Sequence, residues 1–157
     1  MVACFQPSLT VRGGQLYSNT SRGSEVHAAS FLAQRSTVFD SALLARPREL
    51  RRIAVHELFH FAWWRLGNPL RREWDELLGR EICEHARGEL GWSAEMIKKR
   101  LPGTASVRRL YRCESFCDTA AWYFTGGRHS EYTLAPRFRR RRKEWFDTLL
   151  AAGPLSI

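Results

Sequence analysis

At 157 residues, with 44% hydrophobic and 12% aromatic content, the chain can bury a core as a single domain and is too apolar to be disordered throughout. No apolar run approaches the roughly 18 residues of a membrane span. No basic stretch leads an apolar core at the N-terminus, and four cysteines are too few for a secreted disulfide framework, so a reduced cytoplasm is the expected setting.

Residues 1–25 are rich in Ser, Gly and Thr and are expected to be loop or a loosely held arm. Between Val26 and Phe39, apolar and β-branched residues (Val26, Phe31, Leu32, Val38, Phe39) predict one or two strands. A helix is expected over 47–66: Pro47 suits a first turn, Gly67 a stop, and Leu50, Ile53, Ala54, Phe61 and Trp64 form an apolar stripe. Further helices are expected from Leu70 to Arg87, Ser93 to Arg100, Ser106 to Phe124 (ended by Gly126-Gly127) and Pro136 to Leu150. Strands first and helices later predict an α+β domain with a small N-terminal sheet.

The segment His56-Glu57-Leu58-Phe59-His60 lies inside the 47–66 helix. A helix turns about 100° per residue, so His56 and His60 share one face and can grip one metal ion. Glu57 lies beside that face, placed to take a proton from a metal-activated water. Two core histidines beside a surface glutamate is the rival reading, but burying them without a metal would require several polar partners.

Catalytic zinc usually has three protein ligands and one open position. Trp63 and Leu66 stand where a third histidine motif would need Gly and His, and Glu81 stands where an inverted motif would need His. The third ligand must then be acidic, and two helices compete to supply it. On the 106–124 helix, Val107, Leu110, Tyr111 and Ala121 mark an apolar face with Glu114 and Asp118 at its centre. On the 70–87 helix, Trp74, Leu77, Leu78 and Ile82 define a stripe holding Glu81 and His85, which could bond to each other, with Glu84 a weaker option. Glu114 is favoured, because only there does a second carboxylate, Asp118, stand ready to bond the far nitrogen of a ligand histidine.

Together, HELFH and the downstream Glu114-Ser115-Phe116-Cys117-Asp118 resemble the gluzincin metallopeptidases. In that group, which includes thermolysin-like enzymes and the CAAX prenyl proteases, the second motif is E-x-x-x-D on a "glutamate helix". The resemblance implies a zincin-like fold and a soluble zinc peptidase. Zinc (Zn2+) would sit on His56, His60 and Glu114, with Glu57 as general base and acid and Asp118 orienting a histidine. Cys113 stands where thermolysin-like enzymes carry Asn, and the prenyl proteases' membrane helices are absent. A peptide or protein substrate is the implied partner. An edge strand from residues 26–39 could receive it, and His129 or Tyr132 could help stabilise an oxyanion.

The net charge of +9 is most concentrated at Arg137-Phe138-Arg139-Arg140-Arg141-Arg142-Lys143. Such a run is expected to be a solvated helix face making loose, salt-dependent anion or nucleic-acid contacts. A different reading is a basic nucleic-acid-binding module with structural zinc on Cys83, His85, Cys113 and Cys117. Its weakness is that Cys113 and Cys117 share one helix rather than a turn. A zincin fold kept as a regulatory module without activity is a third.

Overall fold

The computed structural model describes all 157 residues and is α+β, with two small sheets followed by five helices. The first sheet has the order β1-β6-β5, from β1 (Val2–Gln6), β6 (Ser36–Asp40) and β5 (Ala28–Phe31). β1 runs parallel to β6, β5 runs antiparallel to it, and β5 is an edge strand. The second sheet, β3-β2-β4, joins β2 (Thr10–Arg12), β3 (Gln15–Tyr17) and β4 (Ser24–Glu25). Residues 1–25 therefore differ from the loose arm expected of them. Gly13 and Gly14, with φ of +58° and +76°, make the two-residue turn of the β2–β3 hairpin, a conformation costly for side chains with a Cβ. Leu9 and Thr10 are buried, and the Leu9 amide donates to Asp40 Oδ2 at 3.0 Å.

The helices are α1 (Pro47–Arg65), α2 (Asn68–Cys83), α3 (Trp92–Lys98), α4 (Ala105–Thr125) and α5 (Pro136–Ala151). Pro47, Pro69 and Pro136 each sit in a first turn, where the missing N–H costs nothing. Thr104 caps α4 by accepting from the Val107 amide at 3.3 Å. α2 ends at Cys83 rather than continuing to Arg87. His85 takes a left-handed φ of +56°, and the amides of His85 and Ala86 return to the carbonyls of Ile82 and Glu81. That Schellman closure normally uses glycine, so the sequence carries no warning of it.

Phe116 on α4 is the hub of the main core. Its ring centroid lies 5.1–6.1 Å from those of Phe59, Trp63, Trp74, Trp145 and Phe146, which draws α1, α2 and α5 onto α4. Three residues expected in apolar stripes, Trp64, Ile82 and Leu110, are exposed instead. No helix is long and apolar enough to cross a membrane.

Candidate metal centre

α1 and α4 pack along each other more extensively than any other pair of elements, and this contact assembles the site. His56 and His60, one turn apart on α1, bring their Nε2 atoms to 3.2 Å. Glu114 on α4 places Oε2 3.4 Å from His56 Nε2 and Oε1 3.9 Å from His60 Nε2. Ligands at about 2.0–2.1 Å in tetrahedral array are about 3.4 Å apart, so these three residues lie close enough together to hold a metal ion such as zinc.

Each imidazole is oriented from behind. His56 Nδ1 lies 2.8 Å from Asp118 Oδ1, and the Ala94 amide donates to Asp118 Oδ2 at 2.9 Å. His60 Nδ1 lies 3.4 Å from Cys113 Sγ, the position noted as a departure from the thermolysin-like pattern. Burial opposes charge on His56, but the bond and charge of Asp118 and then Glu114 outweigh it and raise its pKa well above 6.5. Burial also opposes ionisation of Glu114, and His56 and His60 overcome it to lower the carboxyl's pKa. The Cys113 thiol is pulled down to about 6, chiefly by its bond with Cys117 and, against burial, by His60.

Glu57 points from α1 toward the edge strand, where the Ser30 hydroxyl donates to Glu57 Oε2 at 2.6 Å. Ala28, Ala29, Ser30 and Leu32 wall one side of a cleft whose floor is His56, Glu57 and His60. The cleft continues toward Trp92, Arg52 and Glu131. Arg52 lies one turn before His56 and is 8% exposed, its NH1 3.1 Å from Glu131 Oε2 and its other side bonded to Glu49. It is the only lysine or arginine lining the cleft.

The sequence-derived candidates separate cleanly. His56, His60, Glu114, Glu57 and Asp118 come together. Glu81 does not: it is fully buried with its carboxylate on Arg142, so it neither approaches the histidines nor bonds His85, which is exposed. Glu84 lies on the surface beside Arg141. Neither proposed oxyanion helper lines the cleft, since His129 sits 3.2 Å from Glu49 and Tyr132 packs with Leu90, Leu134 and Phe138. Cys113 and Cys117 converge with His60 rather than with Cys83 and His85, so the four-residue structural-zinc set is not assembled. Glu49, His129 and Glu131 also converge, but Arg52 already supplies the cation between the two carboxylates.

Ser30, Arg52 and the Gly91–Ala94 segment join Cys113 in completing the surroundings, and sequence reasoning gave those three no part in the site. Arg52 was reachable, being four residues before His56 on the same helical face. Gly91 was not. A Cβ built there would lie 2.2 Å from Asp118 Cγ, so only glycine lets the loop close over that carboxylate. Gly91→Ala is therefore expected to displace Asp118 from His56 and weaken zinc binding about 10–100-fold, the usual cost of losing an outer partner of a ligand. Competition with a chromophoric zinc chelator measures it, and unchanged affinity would show that Asp118 does not tune His56.

The chain matches no family model, no curated protein and no solved structure.

Proposed function

We propose that this chain is a zinc-dependent metallopeptidase of zincin-like, gluzincin-type organisation. One observation carries the reading: two imidazole nitrogens and a carboxylate converge at zinc-ligand spacing on the floor of an open cleft, with Glu57 beside them and a free strand edge above. Zinc, when bound, supplies Lewis-acid polarisation of a carbonyl and acidifies a water to a pKa of about 7.

The protein's own groups account for the remaining work. Ser30 holds Glu57 through Oε2, leaving Oε1 to accept a proton in the cleft. The same carboxyl then delivers that proton to the departing amine, as a single residue can serve as base and acid in turn. Asp118 and Cys113 fix the ring orientations of His56 and His60, so their Nε2 atoms stay aimed at one point. The unpaired edge of β5 offers backbone donors and acceptors to an extended peptide, which makes a peptide or protein segment the fitting substrate.

The direct test is to incubate the zinc-loaded chain with a mixture of unstructured peptides and identify products by mass spectrometry. Cleavage that stops on chelation and returns with zinc is expected. A folded, zinc-loaded chain that leaves every peptide intact, or cleavage that survives chelation, would overturn the proposal.

A further inference from the structure

The arginine run of α5, where loose anion contacts were expected, has its side chains drawn to separate partners within the fold. Arg142 is buried, Arg139 bonds the carbonyls of Tyr132 and Leu134, and Arg140, Arg141 and Lys143 pair with Glu144, Glu84 and Asp147. A different place is both basic and concave. Between the start of α2 and the first turns of α4, a pocket of about 320 Å³ is lined by Trp63, Asn68, Arg71, Arg72, Arg109 and Arg112. Four of its six lining residues are arginines and none is acidic.

We propose that this pocket binds a small phosphate-bearing anion with at least two negative charges. Several of its guanidinium groups are set in place before any ligand arrives. Arg71 donates to the carbonyls of Trp63 and Trp64 at 2.6 and 2.7 Å, which pins it on the last turn of α1. Arg109 donates to Ser106 Oγ at 3.1 Å, and Arg112 leans on Asp75 at 2.8 Å. Planar forks fixed in this way match phosphate oxygens and lose little freedom on binding.

The start of α2 adds to the same field. Its N-cap is Gly67, which makes no side-chain cap bond, and its first turn holds no acid, so the positive end of the helix is uncompensated beside Arg71 and Arg72. The volume lies at the low end for ligand pockets, which favours a diphosphate group or a small phosphate ester over a macromolecule. None of these residues belongs to the metal centre, so the proposal stands or falls independently of peptidase activity.

Calorimetric titration of the whole chain with inorganic pyrophosphate tests it. Saturable binding at one site per chain is expected. Arg72→Gln with Arg109→Gln should weaken it more than about tenfold, since two charge-assisted bonds to the anion are lost. Arg137→Gln with Arg140→Gln removes the same charge from α5 and should leave the affinity near wild type. Sedimentation with phosphatidylcholine vesicles, with and without phosphatidic acid, separates a free phosphate from a lipid headgroup. Absence of saturable pyrophosphate binding would overturn the proposal. So would an equal loss in the α5 control, or capture by the acidic vesicles that persists in the Arg72/Arg109 variant. All four arginines are exposed or half-buried, and a circular dichroism melt confirms that each variant folds.

Discussion

Glu57→Gln is expected to lower peptide hydrolysis by about 10²–10⁴-fold, the range a positioned general base contributes. The substitution is nearly isosteric, and the amide oxygen can still accept from Ser30, so the α1–β5 contact should survive. What disappears is the carboxylate oxygen able to hold a proton in the cleft. Zinc content should stay at the wild-type level, because the proposed ligand donors are His56, His60 and Glu114. A fluorogenic peptide taken from the substrate screen gives the rate, and metal analysis of the same sample gives the occupancy. Hydrolysis within a few-fold of wild type would remove Glu57 from the mechanism.

Arg142→Gln is expected to destabilise the fold by about 3–5 kcal/mol, the cost of breaking a buried ion pair from one side. Arg142 NH2 lies 2.6 Å from Glu81 Oε2 and its NH1 lies 2.7 Å from Glu89 Oε2, and all three side chains are essentially inaccessible. Lys98 at 2.8 Å from Glu89, and the Tyr111 hydroxyl donating to it, cannot also serve Glu81. Burial pushes the Glu89 carboxyl up, but Arg142 and Lys98 outweigh it and hold the pKa at about 2 against an ordinary 4.5. Because that pKa is depressed, its contribution is present above pH 4.5 and is lost as pH falls through about 2. In the variant Glu89 loses the guanidinium that holds its pKa down and should protonate at higher pH, which relieves buried charge, so the stability gap should narrow on acidification. Urea unfolding at neutral and acidic pH measures both effects. Arg140→Gln, at an exposed position, should stay within about 0.5 kcal/mol. If Arg142→Gln behaves like Arg140→Gln, the buried network is not what joins α2, α4 and α5.

What could be read from the sequence was what depends on position along one helix. His56, Glu57 and His60 share a face by periodicity alone, and so do Glu114 and Asp118. Choosing between Glu114 and Glu81 was already a tertiary question, and the separation came from the company each keeps. Asp118 lies one turn from Glu114, whereas the partner of Glu81 is an arginine 61 residues away that read as part of a solvated charge run. The hairpin at Gly13-Gly14 was legible too, a glycine pair between Thr10-Val11-Arg12 and Gln15-Leu16-Tyr17, but the polar composition around it read as loop. Ser30 against Glu57, and the loop at Gly91 closing over Asp118, arise from contacts between distant segments that no local spacing encodes. Trp64, Ile82 and Leu110 sit at the margins of otherwise buried helical stripes, where a wheel assigns a face but not a neighbour to cover it.

Zinc stoichiometry across a short variant series tests the central claim most directly. Wild type, Glu57→Gln, Glu81→Gln and Cys117→Ser should each hold one zinc per chain, whereas His60→Ala and Glu114→Ala should lose it while remaining folded. Elemental analysis after gel filtration, with circular dichroism on the same samples, gives the answer. Zinc retained by Glu114→Ala but lost from Cys117→Ser would contradict the account, placing the metal on the thiols and leaving the cleft without its ion.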